Sequence, residues 1–242
     1  MCCERTLLSF TGSRRPPRPR ILCYHSVGTP EWGVNDVSPA QFRSHIEVAL
    51  AEGYTFAPAA EVARRRAGAP VLAITFDDGL ASVAQAAAPI LAEYGIPWSI
   101  YIVSSWADGQ HPEFSPLSLT WHGIERLAAA GATIGSHSAT HPNFAALSRD
   151  QALAELVESR ELIHARTGIE PREFAIPFGQ SGDWDGDLSV LARRAGYDLV
   201  YAQSEARRPP GTVPRTFITR FDGVRTFRAA LRGAFDRWEE WR

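Results

Sequence analysis

Val71-Leu72-Ala73-Ile74-Thr75-Phe76-Asp77-Asp78-Gly79 decides the architecture. Its first six residues form a nearly continuous apolar run, which suits a strand covered on both faces, as in a parallel sheet. Two carboxylates and a glycine close it. Adjacent carboxylates repel one another and resist desolvation. The pair therefore reads either as an Asp-Asp-Gly surface turn or as a place where a cation relieves the repulsion.

The same alternation extends to both sides. Upstream, Ile21-Leu22-Cys23-Tyr24 is a short strand ending at His25. Ser38-Pro39 opens a helix with Phe42, Ile46, Ala49 and Leu50 on its apolar face, and Gly53 stops it. Downstream, a helix is expected from Leu80 to Tyr94, a strand from Pro97 to Val103, a loop from Ser104 to Leu119 and a helix from Thr120 to Gly131. Ala132 to Ser136 is a strand leading into His137, and a long helix starts at Ser148. Strands follow at Glu173–Ile176, Tyr197–Tyr201 and Val213–Thr219, with helices from Gly186 and Val224. Alternating strands and helices with short connections specify an α/β fold with a largely parallel sheet. About seven strands point to a single-domain, closed or nearly closed barrel over residues 20–242, preceded by a flexible lead-in over 1–19. The chain has no GxGxxG after its first strand and no GxxxxGK[ST], so dinucleotide and P-loop chemistry lack their phosphate cradle.

Composition narrows the partners. The 242 residues are 45% hydrophobic and 21% charged, with a formal net charge of -2. No basic excess favours nucleic acid. The three cysteines, Cys2, Cys3 and Cys23, form no CxxC, so neither a disulfide framework nor a thiolate zinc site is indicated. No apolar stretch approaches the roughly 20 residues that span a bilayer, and none resembles a signal peptide. The chain as written reads as cytoplasmic, or as periplasmic or extracellular if an export signal has been trimmed. The basic run Arg14–Arg20 reads as a solvated lead-in, with peripheral contact to anionic lipid as the alternative.

In an α/β barrel the active site lies at the C-terminal ends of the strands. The polar residues there are His25, Asp77 with Asp78, His137 with His141, and the turn Pro177-Phe178-Gly179. Imidazoles suit zinc and similar divalent metals. One carboxylate and two imidazoles make a three-ligand site with room for water and substrate, and the second carboxylate stays free to act as a base. Such a centre fits amide hydrolysis.

Three stretches carry a resemblance: Thr75-Phe76-Asp77-Asp78-Gly79, His137-Ser138-Ala139-Thr140-His141-Pro142 and Phe174-Ala175-Ile176-Pro177-Phe178-Gly179. In them the chain resembles the NodB-homology polysaccharide deacetylases, carbohydrate esterase family 4, over about residues 20–235. The resemblance implies a distorted (β/α) barrel with fewer than eight repeats. It also implies a metal-dependent hydrolase that removes N-acetyl groups from an amino-sugar glycan or oligosaccharide. By position, Asp77 is implied as catalytic base, Asp78, His137 and His141 as ligands of one divalent ion (zinc, with cobalt or nickel as alternatives), and the Phe178 N–H after Pro177 as an oxyanion donor.

Two departures from the family stand out. Ala175 occupies the position where an Arg commonly orients the base, and no histidine follows His164, so a late Leu-x-His acid is missing. Biofilm poly-N-acetylglucosamine deacetylases offer a parallel, with an early Tyr-His supplying the acid; Tyr24-His25 resembles that element. His25 is thereby implied as the general acid, and Arg215 is a candidate to orient Asp77. Asp183 and Trp184 are candidates for a sugar subsite, with Trp106 a weaker one, while His45, His111, His122 and His164 read as surface or packing residues. Two other functions fit the same residues: an amidohydrolase acting on a non-sugar linear amide, and a catalytically silent glycan-binding module.

Overall fold

The computed structural model describes residues 16–65, 68–204 and 208–237. Residues 1–15 of the expected lead-in, with Cys2 and Cys3, lie outside the described residues.

The main sheet has eight strands: β1 (Arg20–Tyr24), β2 (Thr55–Phe56), β3 (Val71–Phe76), β4 (Trp98–Ile102), β5 (Thr133–Ser136), β6 (Glu173–Ala175), β7 (Leu199–Tyr201) and β8 (Thr216–Phe217). Seven run in the order β8-β1-β3-β4-β5-β6-β7, and β2 pairs with the start of β3. All pairings are parallel. The helices are α1 (Pro39–Ala51), α2 (Ala59–Ala63), α3 (Ala88–Glu93), α4 (Ser104–Ala107), α5 (Trp121–Ala129), α6 (Arg149–Thr167), α7 (Gly186–Arg194) and α8 (Val224–Leu231).

Val213 forms a parallel bridge to Tyr201 of β7, while Thr216 and Phe217 pair with Leu22 and Cys23 of β1. The segment 213–217 thus touches both ends of the sheet and curls it into a distorted (β/α) barrel.

Local chemistry explains the element ends. Ser38 Oγ accepts from Gln41 N with Pro39 in the first turn of α1, and Ser148 and Gln151 form a reciprocal capping box on α6. Two expectations are corrected. The helix expected from Leu80 opens as a wide i→i+5 turn over Val83–Ala87. Pro89 follows, and its missing N–H breaks the regular ladder. Leu50 is 46% exposed and stands outside the apolar face of α1.

Side chains alternate between the two faces of the sheet. Leu22, Leu72, Ile74, Ile100 and Ile134 pack in the largest core cluster, whereas Ile21, Ala73, Tyr101, Ala175 and Tyr201 form a separate one, which also holds Ala59 and Val62 of α2. His45 ties α1 to β1 and α8. Its ring stacks on Phe227 at 4.1 Å, its Nδ1 lies 3.0 Å from Tyr24 Oη, and its Nε2 meets the Asp222 carbonyl. A carbonyl only accepts, so Nε2 carries the proton and Nδ1 accepts from the tyrosine. The assignment of His45 as a packing residue is correct.

Burial pushes the His45 pKa down to about 4, against the hydrogen bond to the Asp222 carbonyl. Between about pH 6.5 and 4 the unfolded chain therefore binds a proton at this site that the folded chain refuses, so stability falls as pH falls. The melting temperature of the wild type should drop more steeply across that window than that of His45→Gln. Parallel pH profiles would contradict this account.

Candidate metal centre and active site

Four strand ends deliver the polar residues to one rim of the barrel: β1 leads to His25, β3 to Asp77-Asp78, β5 to His137 and β6 to the Pro177-Phe178-Gly179 turn. All four lie at C-terminal ends of parallel strands, where α/β barrels place their chemistry.

Asp78, His137 and His141 converge. Asp78 Oδ1 lies 3.4 Å from His137 Nε2 and 3.5 Å from His141 Nε2. A ligand atom from each of the three residues lies within 4.8 Å of the other two. Those separations suit three atoms arranged about a common cation at ~2 Å from each. His137 Nδ1 lies 2.8 Å from the Ala175 carbonyl. The carbonyl can only accept, so Nδ1 holds a proton and Nε2 is the nitrogen turned toward Asp78, the usual way a second contact orients a ligating imidazole. Burial, reinforced by the neighbouring His137, lowers the His141 pKa to about 4, so this ring is neutral and ligand-ready at neutral pH. One carboxylate and two imidazoles fit a zinc-type ion.

The spacing of four between His137 and His141 is not helical. Among the described residues, all four non-glycine residues with positive φ lie at this rim: Asp78 (68°), Ser138 (72°), His141 (62°) and Phe178 (63°). Each left-handed residue costs of order 1–3 kcal/mol and persists only where surroundings enforce it. Here Ser138 Oγ accepts from His141 N at 2.8 Å. Glu155 of α6 accepts from Ala139 N and Thr140 N at 2.9 Å each.

Asp77 points elsewhere. Arg215 Nη1 and Nη2 donate to its two oxygens at 2.6 and 2.7 Å, and Cys23 Sγ donates at 3.3 Å. Arg215 is 0% and Asp77 1% exposed. Burial alone would raise the Asp77 carboxyl, but the Arg215 charge, with His137 beside it, holds it well below the usual carboxylate range. His25 packs edge-on against Phe217 at 5.4 Å, and its Nδ1 is buried with no hydrogen-bond partner among the described residues.

A groove of about 770 Å³ opens over these residues, lined by His25, Asp78, His141 and Phe178 together with Trp32, Trp106 and Phe114. Trp106 lies 4.5 Å from Phe114, 6.3 Å from Trp32 and 5.4 Å from His141. The Phe178 ring, 49% exposed, sits 4.9 Å from His141.

Asp183 and Trp184 do not line this groove. The Trp184 indole is buried with Phe144 and Phe174 and donates to Ser189 Oγ at 2.9 Å. Asp183 is 0% exposed and accepts from Gln180 N and Asn143 Nδ2 at 3.0 and 3.1 Å. Adjacent Asp185 caps α7, which draws the segment into the core. His111 lines the groove, so its reading as a surface or packing residue is incomplete. Trp32, Phe114, Gln180 and Gln203 line the groove without having been singled out. Trp32 lies in the short 3-10 helix Pro30–Asn35, on the connection that leaves the C-terminal end of β1.

The family model described as polysaccharide deacetylase matches residues 64–200. The Bacillus subtilis protein YxkH is 23% identical over 192 residues, 77% of this chain and 65% of its own length. The chitooligosaccharide deacetylase of Sinorhizobium fredii is 26% identical over 148 residues, 60% of this chain and 63% of its own length. The chain thus spans a little under two thirds of both curated relatives. Among solved structures, the Streptococcus pyogenes deacetylase PplD in complex with acetate superposes with a TM-score of 0.75 at 21% identity, covering 89% of this chain and 99% of that one. IcaB from Ammonifex degensii gives 0.75 at 22% identity, covering 90% and 98%. At these identities the two structures speak for the fold.

Arg215→Met should destabilise the protein by about 3–5 kcal/mol at neutral pH, because it leaves the Asp77 charge buried and unpaired. Urea unfolding would measure it, and a loss under about 1 kcal/mol would show that the pair is not needed to hold the charge.

Proposed function

The chain belongs to the polysaccharide deacetylase family, and from that premise we propose that it removes N-acetyl groups from an amino-sugar glycan or oligosaccharide with the help of one divalent ion, releasing acetate. The observation that carries the reading is the division of labour between two neighbouring carboxylates. Asp78 faces His137 and His141, while Asp77 faces Arg215. The aromatic groove beside them supports a carbohydrate substrate, since ring faces of Trp and Phe suit the apolar faces of sugars.

Asp78, His137 and His141 would hold the ion, zinc by preference for this donor set, with cobalt or nickel as substitutes. When bound, the ion supplies Lewis-acid polarisation of the acetamide carbonyl and acidifies the attacking water. The rest falls to the chain's own residues. Asp77, kept ionised by Arg215, takes a proton from the water as its oxygen bonds to the carbonyl carbon. The Phe178 N–H donates to the tetrahedral oxyanion. His25 gives a proton to the nitrogen as the C–N bond breaks, leaving acetate and a free amine. Short chito-oligosaccharides are the first substrates to test, by analogy with the Sinorhizobium protein.

Asp77→Asn should lower acetate release from chito-oligosaccharides by roughly 10²–10⁴-fold while retaining about one equivalent of metal by elemental analysis. His137→Ala should lose the metal and the activity together. Full turnover by Asp77→Asn would remove the base assignment, and full activity of chelator-treated, metal-free protein would remove the metal.

A further inference from the structure

We propose that Tyr101 is a positioning residue for the catalytic base, acting through Arg215: the Tyr101 ring, with Tyr201 beside it, keeps the guanidinium in register with the Asp77 carboxylate. The inference rests on the assignment of Asp77 as base.

Arg215 reaches Asp77 from the segment that closes the barrel. It makes four hydrogen bonds: Nη1 and Nη2 donate to Asp77, Nη1 also to Thr75 Oγ1 at 3.2 Å, and Nε to the Ala202 carbonyl at 3.1 Å. Bonds in the plane of a guanidinium do not stop it from tilting out of that plane. Side chains packed against it do that, here two neighbouring rings whose centroids are 5.5 Å apart. The guanidinium carbon lies 5.4 Å from the Tyr101 ring centroid and 5.9 Å from that of Tyr201, both within cation–π range. Arg215 and both tyrosines are 0% exposed, so no solvent shares that contact.

The Tyr101 ring is itself held. Its hydroxyl donates to Glu173 Oε2 at 2.8 Å. Across the sheet its register partner is Gly135. A Cβ on Gly135 would stand 2.4 and 2.6 Å from two Tyr101 ring carbons and 2.9 Å from the Glu173 carbonyl. Gly135 is not among the positive-φ glycines, so its missing side chain answers a need for space and not for an unusual backbone. The space is filled by the ring that faces Arg215. Gly135 and Glu173 thus seat Tyr101, Tyr101 seats Arg215, and Arg215 aims Asp77.

The test compares Tyr101→Phe, Tyr101→Leu and Gly135→Ala for acetate release from chito-oligosaccharides, with bound metal measured in each. Tyr101→Phe keeps the ring and should retain kcat within about 3-fold. Tyr101→Leu should lower kcat by roughly 10–100-fold with KM and metal content unchanged, as expected when a catalytic group loses its aim. Gly135→Ala, whose methyl would press on the same ring, should lower kcat in the same way. An unchanged kcat in Tyr101→Leu, or a loss confined to KM or to metal content, overturns the proposal. A thermal-melting cycle pairing Tyr101→Leu, or Gly135→Ala if the former does not fold, with Arg215→Met reads the contact without turnover. Non-additive losses support it and additive losses overturn it. A wild type that releases no acetate counts against the deacetylase reading alone, and the melting cycle then decides the contact.

Discussion

Two carboxylates that are neighbours in the chain and buried together cannot both stay ionised on one source of positive charge. Two unit charges ~4 Å apart at an effective dielectric constant near 20 repel by about 4 kcal/mol. The structure separates their partners. Asp78 takes a left-handed backbone (φ 68°), which turns its side chain toward His137 and His141, while Asp77 continues into the barrel toward Arg215. The rim's other features follow from keeping those two environments distinct.

Strain and support are matched around this division. The left-handed residues sit where the backbone must turn ligands inward within a few positions of a strand end, and each loop is pinned from outside. Glu155 reaches up from α6 to hold the turn between the two histidines. Gly179, at φ 64°, lets the Pro177-Phe178 turn press against Gln203, where a Cβ would stand 2.8 Å from the Gln203 nitrogen. Such pinning would leave Asp78, His137 and His141 little to reorganise on binding a cation, which is how preorganised sites gain their effect.

Much of the fold was legible because it rests on short-range signals. Unbroken apolar runs marked β1, β3 and β4, and Ser-Pro, Ser-x-x-Gln and glycine stops marked helix ends. The strand-end rule then gathered His25, Asp77, Asp78, His137 and Phe178 at one rim. Failures arose where local pattern and packing disagree. Trp184 looked like an exposed aromatic in a polar loop, yet the N-cap at Asp185 folds that loop inward and buries the indole. Leu50 fitted a helical apolar stripe, yet nearly half of it is open to solvent. The wide turn before Pro89 depends on a backbone register that periodicity does not encode.

Residue types and their order along the chain determined by themselves that an apolar strand ends in two carboxylates, that two imidazoles follow a later strand, and that strands and helices alternate. Tertiary structure alone decided which carboxylate meets which partner. Arg215 lies 138 positions from Asp77, and it arrives only because segment 213–217 closes the barrel between β7 and β1. Its guanidinium packs against two neighbouring rings from β4 and β7, strands that are not adjacent in the sheet. Contacts of that range are set by curvature and closure of the whole sheet, which no window of local sequence records.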